Sequence, residues 1–261
     1  MKKNELALTE LPLKELLKRT FSYVWNDSKI WLQILLITIG VAAIQLLISF
    51  IPFCDNPECN EKWQANISST LFMIANVMIL IYYCRKIVLK KETDFTAKYF
   101  WKAVLFYIIA AIVAMLAIIL PVVLCGALFA VMFNLASSIW LPLFIVTALI
   151  VMSIWLAPLL LVFPSIAVED YSLLNLKKLF SLTRNCHNKI FWGIFLAMLP
   201  CSLILLLLVI IYSAIYGSEA LAVSIAMPIV SLLLQLLNSY IKGSYYSHLY
   251  QFFKFVDKKS K

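Results

Sequence analysis

The chain has 261 residues, 64% of them hydrophobic and 13% charged, with a formal net charge of +9 and a mean hydropathy of +0.95. Such a composition excludes an ordinary soluble globular domain. The positive charge is distributed as on a membrane face, so phospholipids, anionic ones included, are expected partners and nucleic acid is not.

Residues 1–29 open the chain as a charged amphipathic segment. Leu13, Leu16, Leu17, Phe21 and Val24 recur at helical spacing, while Lys14, Glu15, Lys18 and Arg19 take the other side. Such a helix either lies in the interface with its basic side toward anionic headgroups, or packs on the end of a helix bundle. The first apolar run starts near Ile30 and outlasts the roughly 7–15-residue core of a signal peptide. It is expected to stay as a span over 30–52.

Between this span and a second over 67–84 lies Phe53-Cys54-Asp55-Asn56-Pro57-Glu58-Cys59. Two thiolates are too few for a structural zinc site. A C-x-x-C redox pair has two intervening residues, where this pair has four. A bacterial lipid-attachment cysteine follows a small residue, whereas Cys54 follows Phe53. In an oxidising compartment the expectation is a Cys54–Cys59 disulfide around Asn56-Pro57, with Cys125 as the rival partner.

Residues 103–168 contain no Asp, Glu, Lys or Arg. A span needs roughly 20 apolar residues, and two crossings, over 103–124 and 139–162, suit a tract whose flanks are both basic. Gly126, Asn134, Ser137 and Ser138 supply the turn. Residues from about Ser172 to Arg184 read as a second amphipathic helix. Further spans follow over 191–211 and 221–241. In the tail, 242–261, Tyr245, Tyr246, Leu249, Phe252 and Phe253 suggest a third amphipathic helix.

With these spans, 21 of the 22 basic residues fall on one side, and only Lys62 falls opposite, beside Asp55, Glu58 and Glu61. The positive-inside rule then puts both termini in the cytoplasm. The expected fold is an all-α integral membrane protein of the cell inner membrane: six transmembrane helices, cytoplasmic interfacial amphipathic helices, N-in and C-in, in one membrane domain over 1–261. Lys29-Ile30-Trp31, Tyr99-Phe100-Trp101-Lys102 and Lys189-Ile190-Phe191 each lead into a span, an echo that suits parallel repeats of a two-helix hairpin.

Pro164-Ser-Ile-Ala-Val-Glu169-Asp170, then Leu176-Lys-Lys-Leu-Phe-Ser181-Leu-Thr-Arg184-Asn185, then Lys189-Ile-Phe-Trp192, resembles a pattern of the six-span YciC-like bacterial membrane proteins. It is also similar to the membrane domain attached to some glycerophosphodiester phosphodiesterases. In that group a span ends in proline, an acid follows, and a short helix leads through a Ser…Leu…Asn pattern into the fifth span. The matching positions are Pro164, Glu169, Ser181, Leu182 and Asn185; Arg184 stands where the group has glycine. The resemblance implies a six-span fold and a structural or docking role for this stretch, with Asp170 and Lys189 beside it, and implies no molecular activity.

No hydrolase elbow, phosphate loop or metalloprotease helix occurs, and no metal or cofactor is expected. His187 and His248 lie far apart in sequence without an acid or cysteine pattern. The spans carry no ionisable residue in their interiors, against ion-coupled transport. Their polar residues include Gln45, Asn76, Gln235 and Asn238, which either make interhelical hydrogen bonds or converge on a cavity. Glu169 and Asp170 are expected at the head of the second amphipathic helix, paired with Arg184 or Lys189. The leading expectation is a non-enzymatic protein of envelope maintenance or lipid handling, with a membrane protein as a second kind of partner. The alternatives are a permease for a lipid-like or weakly polar solute and, last, an enzyme using Glu169, Asp170 and His187.

Overall fold

A computed structural model describes residues 11–54, 56–90, 159–170, 175–215 and 221–260, with isolated positions between 101 and 126. The described residues are helical, with no strand among them. The helices are α1 (Leu13–Asn26), α2 (Ser28–Ser49), α3 (Pro57–Leu89), α4 (Val162–Ala167), α5 (Leu176–Thr183), α6 (His187–Ile215) and α7 (Leu221–Ser260).

Local chemistry fixes three of the seven described helix starts. Asp27 caps α2 by accepting from the Lys29 amide, Asn175 caps α5 through the Lys178 amide, and Asn56 caps α3 through the Glu58 amide with Pro57 in the first turn. These caps satisfy amides that a helix start leaves without partners, and Pro57 gives up no needed donor. The second span is therefore part of a longer helix than expected, extended outward by ten residues to Pro57.

Three helices, α2, α3 and α6, are long and apolar enough to cross a membrane. Only 22%, 22% and 17% of their most apolar windows are buried. Leu32, Leu36, Leu206 and Leu207 all face outward, and a belt of that kind is an aggregation surface in water but an ordinary lipid contact in a bilayer. The chain is a membrane protein. The expected spans over 103–124 and 139–162 lie almost wholly outside the described residues, and the backbone of the span over 221–241 is the first half of α7.

α7 runs on without a break through Ser260, so the aromatic tail is not a separate third helix. Forty residues at 1.5 Å rise give about 60 Å, roughly twice a hydrocarbon core. The densest core gathers around its second half, where Tyr240, Tyr245, Leu249, Tyr250 and Phe253 are buried. α1 packs here too, with Leu16, Thr20 and Val24 turned inward, so of its two expected placements the bundle-end one is observed. On the α3 side, Ser239, Gly243 and Ser247 form a small-residue stripe at four-residue spacing. Ser239 donates to Asn76 Oδ1 at 2.5 Å, and the Gly243 carbonyl accepts from Cys84 Sγ at 3.6 Å. Small side chains let these backbones approach closely, as membrane helices do.

Candidate functional site

The start of α2, the end of α3, the start of α6 and the second half of α7 meet at one end of the bundle, here termed the basic end. Every described ion pair lies there. Lys86 of α3 reaches the Asp27 cap of α2 at 2.7 Å, Lys178 of α5 reaches Asp257 of α7 at 2.8 Å, and Lys254 of α7 reaches Asp170 at 2.5 Å. Each of these three pairs joins segments distant in sequence, so the charges act as cross-braces.

Glu169 and Asp170 correct an expectation. They follow the C-terminus of α4 rather than heading α5, and Asn175 holds the head of α5. α4 ends in a Schellman turn: the Glu169 amide donates to Ile166 O at 3.1 Å and the Asp170 amide to Ser165 O at 3.0 Å. This turn puts its penultimate residue in the left-handed region, normally as glycine; here it is Glu169, at φ 57°. Asp170 Oδ2 also accepts from Tyr250 Oη at 2.5 Å, and Glu169 meets Lys102 at 3.7 Å. The described partners of the two acids are thus Lys102, Tyr250 and Lys254, not Arg184 or Lys189. Of the rest of the motif, Pro164 is buried in α4, Ser181 Oγ donates to Lys178 O, and Arg184, Asn185 and Lys189 are exposed.

The polar residues of the spans are brought together only in part. Asn76 Nδ2 donates to Phe72 O at 2.9 Å while its oxygen takes the Ser239 hydroxyl. Gln235 is exposed and donates to Ser231 within its own helix. Asn238 Oδ1 is buried with no hydrogen-bond partner among the described residues. Gln45 is half-buried on α2, and no described hydrogen bond joins it to the other three.

Cys54 and Cys59 face each other at bonding distance, with their Cα atoms 5.9 Å apart. Asn60 Oδ1 accepts from the Phe53 amide, and Gln64 Nε2 donates to Ser49 O and Ile51 O. These bonds tie the end of α2 to the first turns of α3. The rival Cys125 lies outside the described residues. Among the described residues no three His, Cys, Asp or Glu side chains gather as metal ligands would.

The feature that sequence reasoning missed is a groove of about 820 Å³ between α1, the start of α2 and His248 of α7. Lys18, Arg19 and Lys29 line it with Glu15, Asp27 and Tyr23. Arg19 is tied to Glu15 at 3.0 Å and Asp27 to Lys86. Lys18 and Lys29 have no ion-pair partner among the described residues, so the groove keeps a cationic surplus. Tyr23 in its wall begins an aromatic ladder that runs inward, meeting Tyr83 at 5.8 Å, which in turn meets Tyr240 at 4.9 Å. His248 closes the back, against Tyr23 at 6.0 Å. Burial pushes the His248 imidazole below its usual range; its hydrogen bond with Gln251 opposes this and Arg19 adds to it. The groove exists only because α1 folds back onto α7, which no local pattern encodes.

Comparisons with protein-family models, with curated proteins and with solved structures found no match.

Proposed function

We propose that the chain is a multi-pass protein of the cell inner membrane, with six spans and both termini in the cytoplasm, that maintains the envelope by handling lipid rather than by catalysing a reaction. The observation that carries this reading is where the polarity sits. α2 and α6 turn apolar faces outward along their length, while every described ion pair and the open groove lie at the basic end. A protein so divided offers its belt to acyl chains and its cationic end to headgroups. The resemblance to the YciC-like proteins adds the six-span layout to the proposal, and the basic end leaves room for a membrane-protein partner.

A permease for a weakly polar or lipid-like solute is the second reading. It draws on Asn238 Oδ1, buried without a hydrogen-bond partner among the described residues and one position before Ser239, which bonds Asn76, since a buried polar atom so placed can serve a ligand. Lipidomics and metabolite profiling of a deletion strain beside a complemented strain separate the two. The lipid-handling reading expects a shifted phospholipid composition that complementation restores. Unchanged lipids with one accumulated small solute would overturn it in favour of the permease.

A further inference from the structure

We propose that α2 and α3 form a binding furrow for a single glycerophospholipid, with its phosphate at Lys29 and Lys18 and an acyl chain between Leu36 and Met78. The furrow deepens the lipid-handling reading and rests on it for its purpose, though not for its binding chemistry.

Two matched stripes carry the inference. On α2, Lys29, Gln33, Leu36 and Ile37 follow the i, i+4, i+7, i+8 spacing of one helix face. They descend about 12 Å from the groove into the apolar belt. α3 runs the other way, so Lys86, Tyr82, Ile79 and Met78 descend beside them. Between the apolar halves lies a second cavity, of about 410 Å³, walled by Leu36, Ile37, Met78 and Ile79 and headed by Gln33, Tyr82 and Tyr240. The order from one end to the other is cation, amide and phenol, then hydrocarbon, which is the order of phosphate, ester and acyl chain in a phospholipid.

The charges select that occupant. Asp27 is held by Lys86 at 2.7 Å and Glu15 by Arg19, so Lys18 and Lys29 line the groove with no ion-pair partner among the described residues. Tyr240 Oη donates to Gln33 Oε1 at 3.5 Å, and the Gln33 side-chain nitrogen, which makes no hydrogen bond among the described residues, can donate to an acceptor such as an ester carbonyl. An apolar helix from another protein would satisfy the lower cavity and leave both lysines and that amide unmatched.

The test is native mass spectrometry of the full-length protein from mild detergent, titrated with phosphatidylglycerol, phosphatidylethanolamine, a single-chain maltoside and inorganic phosphate. The expectation is one retained diacyl phospholipid per chain, with no retention of maltoside or phosphate. Lys18→Gln with Lys29→Gln should weaken phosphatidylglycerol binding roughly five-fold per lysine, and Met78→Trp should abolish retention by filling the cavity. Lys62→Gln, exposed near the start of α3 at the end opposite the groove, is the control and should leave binding unchanged. Equal loss in the control would reduce the effect to bulk charge, and retained binding in Met78→Trp would remove the furrow. A delipidated dimer lost in Met78→Trp would reassign the furrow to a second copy of the chain. Binding together with an unaltered deletion lipidome would sink the lipid-handling function and keep the site; the reverse result would sink the site alone.

Discussion

Gly193 of α6 shows how one missing methyl group holds the basic end together. A Cβ there would stand 2.0 Å from Tyr245 Oη and 2.7 Å from Leu13 Cδ1. The tyrosine hydroxyl uses the space to donate to Ile190 O at 3.1 Å, and Leu13 brings α1 to the same point. Gly243 differs, because its nearest neighbours to an added Cβ are Leu80 and Tyr83 side-chain atoms at 3.4 and 3.5 Å, ordinary contact distances. Gly193→Ala should therefore cost about 1–3 kcal/mol through overpacking. Gly243→Ala should be neutral or stabilise by up to about 1 kcal/mol through helix propensity. Thermal melts of the two purified variants check this, and equal melting temperatures would contradict it. His248 supplies a pH effect at the same scale. Its unfolded imidazole titrates near about 6.5, while burial holds the folded one lower. The unfolded chain then takes up the proton more readily below that pH, so this contribution is complete above about pH 6.5 and declines as pH falls. The melting temperature should drop on acidification toward about pH 5.5, and His248→Gln should flatten the drop. An unchanged slope in the variant would place the effect elsewhere.

At the scale of elements, the hairpin between α2 and α3 carries the next prediction. Peptide mapping without reductant should recover Cys54 linked to Cys59, and the double serine variant should lose about 2 kcal/mol, the loop-entropy value for so short a ring. Free thiols, or a link to Cys125, would refute the pairing. The start of α3 was legible in the sequence, because Asn56-Pro57-Glu58 is a cap, a first-turn proline and an acid in the first turn. Hydropathy alone placed the span start at Ile67, since residues 57–66 are polar enough to pass for loop. Two other elements were not legible. The span over 221–241 and the aromatic tail read as separate helices, yet α7 continues through Lys242 and Gly243 because Ile241, Ser244 and Tyr245 on either side are buried in the same core. Glu169 and Asp170 read as the head of α5, since acids favour helix starts; a left-handed glutamate at a helix end has no sequence signal. Hydrophobic runs and caps are local, whereas the seat of α1 and the groove it makes depend on contacts between residues more than 200 positions apart, such as Ser244 Oγ to Thr20 O.

The whole molecule divides into an apolar belt and one basic end, which among the described residues is a packed helical base. α7 joins the two, and its cross-braces to α4 and α5 make the base a single body. The proposed placement of that base in the cytoplasm rests on the charge count readable from sequence, and the proposed lipid furrow needs it there, at the inner leaflet. The most direct measurement is labelling of single cysteines by a membrane-impermeant maleimide, in a background without native cysteines. Lys62→Cys should label in intact cells, while Ser22→Cys on α1 and Lys258→Cys at the end of α7 should label only after permeabilisation. Labelling of Ser22→Cys or Lys258→Cys in intact cells would contradict the account, because it would put the basic end outside the membrane it is built to face.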